Sequence, residues 1–126
     1  MGNGTSIGRV RGLGSAKAGT HHWLLQRWTA IGNFVLVAYL AVSLLLLPNL
    51  GYQAVSGWIA NPIPAAAIAL LIVSTFWHAR LGLQVPIEDY VHGGNRLAVM
   101  IALNLVAFAG AAFGLLSIIR LALGGA

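Results

Sequence analysis

His78 is the residue whose position most invites chemistry. It lies in a stretch, Trp28 to Ala79, that contains no Asp, Glu, Lys or Arg. An ionisable side chain in so apolar a segment is costly and is a functional hypothesis by default. A neutral imidazole can hold haem iron through one ring nitrogen while the other bonds to backbone or water. An imidazole that merely hydrates itself at a membrane interface fits the position equally well. If His78 does hold a low-spin haem, the opposite ligand must come from another chain. His21 and His22 precede the first apolar run and His92 follows the second, so none occupies a second mid-helix position.

Five further residues could serve the same surface. Arg27 and Arg80 flank the apolar runs, where a forked guanidinium can pair with haem propionates or simply anchor the helix ends among lipid headgroups. His21, six residues before Arg27, is a further donor near that level. The other two residues, Asp89 and Tyr90, are adjacent. A phenol hydroxyl at a membrane surface is a suitable donor to a quinone carbonyl, and a neighbouring carboxylate can orient it. The alternative is a carboxylate that favours the start of a short helix and a tyrosine of the interfacial aromatic belt. Ser74, Leu71 and Ala67 fall below His78 on one helical face, a small, slightly polar stripe that suits a cofactor or ordinary helix packing.

The elements that must position these groups follow from composition. The chain has 126 residues, 59% hydrophobic and 7% charged. A soluble domain needs roughly 25% charged residues to cover its surface, so the outside of this chain must face lipid or protein. Seven bases against two acids give a formal charge of +5. The bases flank apolar runs instead of clustering, which points to membrane topology and away from nucleic acid. Cysteine is absent, which excludes disulfides and thiolate-bound iron–sulfur clusters on this chain.

Three apolar runs can each span a bilayer, which takes about 20 residues. Prolines and glycines from Pro48 to Pro64 divide the first two. The reading is therefore an all-α membrane protein, a single domain over residues 1–126. Its three transmembrane helices are placed at about Trp28–Leu47, Pro62–Leu81 and Leu97–Ile119. His78 then falls in the last turn of the second helix, with a polar loop Arg80–Arg96 beyond it. Pro86 opens a short interfacial helix up to Val91 in that loop. Met1–Thr20 is rich in Gly and Ser and reads as an extended cytoplasmic tail. The run after it is too long for a signal-peptide core, and a bacterial chain beginning at its own Met is expected. Gly110 and Gly114 form a small-xxx-small pair in the third run. Arg9, Arg11, Lys17, Arg27, Arg80 and Arg96 mark one side of the membrane, and the Pro48–Asn61 loop carries no base. The positive-inside rule then places the N-terminus and second loop in the cytoplasm or matrix and the C-terminus on the periplasmic side.

The segment His78-Ala-Arg-Leu-Gly-Leu-Gln-Val-Pro-Ile-Glu-Asp-Tyr-Val91 resembles the signature of the succinate dehydrogenase hydrophobic membrane anchor subunit, the smaller, D-type anchor. In that family a helix-end histidine is followed by Gly four residues later and by Asp-Tyr eleven and twelve residues later, here Gly82, Asp89 and Tyr90. Pro86 stands where the family pattern has an aliphatic residue. The resemblance implies half of a two-chain haem-binding bundle. His78 is then an axial ligand of haem b, and His21, Arg27 and Arg80 lie near its propionates. Tyr90 bonds a ubiquinone carbonyl, supported by Asp89. The implied partners are a second, C-type cytochrome b anchor, an iron–sulfur subunit and a flavoprotein subunit, with lipid around the spans. The chain is then a subunit of succinate dehydrogenase, not catalytic alone, in the bacterial or mitochondrial inner membrane. Two alternatives remain open: a fumarate reductase-type anchor, and a non-redox packing subunit of a membrane complex.

Overall fold

The computed structural model describes residues 18–124 and is helical in four elements: α1 (Ala18–Leu45), α2 (Tyr52–Ile59), α3 (Pro62–Tyr90) and α4 (Gly94–Ala122). The three long helices, α1, α3 and α4, are long and apolar enough to cross a membrane. The Met1–Thr20 tail falls almost wholly outside the described residues. Its last residues, Ala18–Thr20, already belong to α1.

Each long helix outruns the apolar run that announced it. A helix of 29 residues is about 43 Å long at 1.5 Å per residue, whereas a bilayer core is about 30 Å thick. The apolar run marks only the lipid-facing part of each helix. The flanking turns are polar and still helical. At the start of α1, Arg27 lies over the Trp23 ring at 4.7 Å, one turn back. At the end of α3, Gln84 donates to Glu88 Oε1 at 2.9 Å, again one turn apart.

This corrects the expected end of the second helix. α3 continues through Pro86 to Tyr90, so no separate interfacial helix forms and His78 is twelve residues from the helix end, not in its last turn. Pro86 removes one backbone donor, that of the bond to Gly82, and its ring crowds that carbonyl. Gly82 adds no side chain to the crowding. The Gln84–Glu88 bond spans the lesion. The polar loop shrinks accordingly to Val91–Gly93. Gly93 has φ 66° and ψ −148°, a region open essentially to glycine alone, and this lets α4 start at once.

The connection after α1 also differs from a plain loop. α1 stops at Leu45 and tightens through Leu47 N donating to Leu44 O at 3.1 Å, because the residue before Pro48 is driven out of helical geometry. The chain then forms α2, which packs against α3 and α4, and Trp58 Nε1 donates to Ser43 Oγ at 2.7 Å, a bond that ties α2 to the end of α1.

α3 is the middle helix, packed by α1 on one side and α4 on the other. The α3–α4 seam is where the glycine pair acts. A Cβ on Gly110 would stand 2.6 Å from Phe76 Cζ, and one on Gly114 would stand 3.0 Å from Ile72 Cγ2. Among the described residues only Leu40, Pro64, Ala67, Leu81 and Ala107 are buried, so most apolar side chains face outward to lipid or to other chains.

Candidate functional site

The α1–α3 seam carries the polar side chains. Along α1, His22, Gln26, Thr29 and Asn33 repeat at the spacing that puts them on one helical face. Opposite them on α3 stand Gly82, His78 and Ser74. Gln26 Nε2 would be 3.3 Å from a Cβ on Gly82, so the absence of a side chain there admits the amide. Thr29 Oγ1 lies 3.0 Å from His78 Nδ1. Ser74 Oγ donates to the Thr29 carbonyl at 3.4 Å, and Gly32 lies beside the same hydroxyl. Within the stripe Ala67, Leu71, Ser74, His78, the Ser74 and His78 side chains thus face α1.

Three polar atoms on this face of α1 are buried without a hydrogen-bond partner among the described residues: His22 Nε2, Gln26 Oε1 and Asn33 Oδ1. Buried polar atoms are nearly always satisfied in complete assemblies. The three atoms mark the α1–α3 seam as the most polar, least satisfied stretch of the described chain. These residues were not singled out from the sequence, although their i, i+4, i+7, i+11 spacing was a usable signal.

Towards the N-terminal end of α1 the seam widens into a cleft of about 610 Å³ between α1 and α3. His21, His22, Trp77, Arg80, Gln84 and Glu88 border it. The structure thereby brings together two of the residues singled out from the sequence, His21 and Arg80. Arg27 goes elsewhere: it is exposed and stacked on Trp23. Arg80 is held from the α4 side, where its Nε donates to Asn104 Oδ1, and its guanidinium lies 5.9 Å from the Trp77 ring centroid. It also borders an apolar groove of about 310 Å³ between α3 and α4, with Phe76 and Phe108.

Asp89 and Tyr90 end α3. Tyr90 is 84% exposed. Twelve residues of helix put it about 18 Å along the axis from His78. Asp89, eleven residues on, returns to the His78 face, and the next residue is turned about 100° from it. Glu88, one position earlier, borders the cleft and pairs with Arg96 of α4 at 3.5 Å. Among the described residues no group of three or more His, Asp or Glu side chains converges on a metal-sized point.

The sequence from residue 1 to 112 matches the family model described as succinate dehydrogenase/fumarate reductase transmembrane subunit. The chain belongs to that family. Among similar proteins, the succinate dehydrogenase hydrophobic membrane anchor subunit of Rickettsia bellii (strain RML369-C) is 35% identical over 100 residues, which cover 79% of this chain and 80% of the relative. The like-named subunit of Paracoccus denitrificans is 30% identical over 116 residues, 91% of this chain and 89% of its own. The succinate dehydrogenase membrane anchor subunit of Reclinomonas americana is 35% identical over 92 residues, 69% and 75%. No solved structure matches the chain. The resemblance carried by the His78–Val91 segment is thus borne out at the level of the family, and the chain is a multi-pass membrane anchor subunit of the succinate dehydrogenase type.

Proposed function

We propose that this chain is the smaller anchor of a succinate:ubiquinone oxidoreductase, holding haem b jointly with a second anchor chain and forming part of the site where ubiquinone is reduced. The observation that carries the reading is the placement of His78. It is the one histidine among the described residues that lies more than two turns from either end of a membrane-length helix, and it is half-buried against α1. A single histidine with one ring nitrogen engaged at 3.0 Å by Thr29 fits half of a bis-histidine site, with the second ligand supplied by the partner anchor. When bound, haem b offers a one-electron store within the bilayer.

The chain's own residues divide the remaining work. His21 and Arg80 at the cleft present cationic or donor groups at the level where propionates need them. Arg27 contributes charge to the same end of the bundle from its exposed face. Tyr90 donates its hydroxyl hydrogen to a ubiquinone carbonyl oxygen, and exposed Asp89 beside it relays protons from water. Ubiquinone takes up two electrons and two protons on becoming ubiquinol, so a donor at the carbonyl and an aqueous route are both required. In this reading the rest of the pocket wall comes from the second anchor and the iron–sulfur subunit, which passes electrons from the flavoprotein, and the exposure of Tyr90 leaves it open to them. Arg27, Arg80 and Arg96 lie at the same end of the bundle, and the positive-inside rule places that end in the cytoplasm or matrix.

Deleting the chain from a bacterium that relies on it tests the reading. Succinate oxidation by an artificial dye is expected to persist but to move into the soluble fraction, and succinate–ubiquinone activity is expected to vanish from the membranes. Membrane-bound, quinone-linked activity in its absence overturns the proposal.

A further inference from the structure

We propose that Thr29 is a positioning residue that fixes the tautomer of His78, keeping hydrogen on Nδ1 and leaving the Nε2 lone pair as the iron-facing atom. The inference rests on the haem reading above and adds to it a residue on another helix. Thr29 Oγ1 has three neighbours at hydrogen-bond distance: Leu25 O at 2.8 Å, Gln26 O at 3.1 Å and His78 Nδ1 at 3.0 Å. A hydroxyl has one hydrogen to give, and a backbone carbonyl can only accept. Two of the three neighbours can only accept, and the shortest contact is to one of them, so the hydrogen is assigned to the carbonyls of the preceding turn, as threonine in a helix commonly does. What the oxygen then offers His78 is a lone pair, so Nδ1 must be the donor. A neutral imidazole with its hydrogen on Nδ1 has its lone pair on Nε2.

The arrangement is held from both sides of Thr29. Its carbonyl accepts from Ser74 Oγ at 3.4 Å, one turn of α3 below His78. The β-branched side chain has few rotamers in a helix, so the acceptor does not wander. Histidines that bind metals almost always donate their other ring hydrogen to such an acceptor, which orients the ring and raises its basicity. A plain interhelical hydrogen bond would need neither this polarity nor an effect on iron.

The test compares Thr29→Val, Thr29→Ala and Thr29→Ser in the assembled complex, read by haem content, haem midpoint potential and the low-spin electron paramagnetic resonance spectrum. Valine and alanine remove the acceptor. Haem retention is then expected to fall by about tenfold or more, and the potential of the haem that remains is expected to rise, because a less basic imidazole favours ferric iron less. Serine keeps the acceptor and is expected to behave as wild type. A valine variant with lowered thermal stability but wild-type potential and spectrum reduces Thr29 to a packing residue and overturns the inference. If neither hydroxyl-free variant assembles, electron–nuclear double resonance on the unmodified complex decides: an exchangeable proton on the remote nitrogen of the His78 imidazole is expected, and a bare nitrogen there overturns it. A wild-type complex without haem overturns the haem reading and this inference together, whereas a normal haem that is blind to Thr29→Val overturns this inference alone.

Discussion

Arg80 of α3 donates through Nε to the side-chain oxygen of Asn104 on α4, and Asn104 in turn donates through Nδ2 to Met100 O at 2.9 Å. The second bond orients the amide so that its oxygen faces the guanidinium. A cation at the edge of the cleft is thereby fixed from the side away from α1. Hydrogen bonds to charged groups contribute about 1.5–3 kcal/mol. Asn104→Leu is expected to lower the thermal unfolding temperature of the detergent-solubilised complex, and Asn104→Asp, which keeps an acceptor for Arg80, is expected to retain most of it. Equal melting of all three forms contradicts the role given to this bond.

The α3–α4 contact makes a second prediction. Phe76 occupies the space over Gly110, where a Cβ would come within 2.6 Å of its Cζ atom. Overpacking of this kind costs typically about 1–3 kcal/mol. Gly110→Ala is expected to weaken assembly, and Phe76→Leu in the same chain is expected to restore part of the loss. Damage from Gly110→Ala that is untouched by Phe76→Leu points to a different cause.

The three-residue hairpin between α3 and α4 depends on Gly93, whose φ of 66° is open to few other residues. Gly93→Ala is expected to cost about 1–3 kcal/mol through backbone strain. Gly57, inside α2 with open space where a Cβ would be, is the control: Gly57→Ala is expected to be neutral or stabilising by about 0.5–1 kcal/mol. Differential scanning calorimetry of the two variants orders them, and the reverse order sinks the argument.

The three spans were legible because charge placement and the Pro48–Pro64 breaks are written in the sequence. Their ends were not. Arg27 on Trp23 and Gln84 on Glu88 support α1 and α3 beyond the apolar runs, and each pair includes charged or polar groups that read as the end of a span. Pro86 resembled a helix start, yet it sits inside α3 with side-chain-free Gly82 four residues before it. The candidate site divides in the same way. His78 stood out by being ionisable in an apolar run, and His21 and Arg80 do share a cleft. Thr29 was invisible, because its bond to His78 joins residues 49 apart in the chain and requires the register of α1 on α3.

Tyr90 tests the quinone end. Tyr90→Phe keeps the ring and removes the hydroxyl donor. Succinate–ubiquinone activity is expected to drop by about 10²-fold or more, the lower range for a positioned proton donor, while succinate oxidation by an artificial dye stays at the wild-type rate. Unimpaired quinone reduction removes Tyr90 from the site. A parallel loss of dye activity indicates failed assembly and equally contradicts a role confined to quinone.

The most direct measurement is the dithionite-reduced minus oxidised absorption spectrum of the purified complex, taken for wild type and for His78→Ala. The account predicts a b-type haem band in wild type that is lost or converted to a high-spin form in the variant, with the subunits still co-purifying. Absence of the band in wild type, or its persistence unchanged without the His78 imidazole, contradicts the assignment of His78 as an axial ligand.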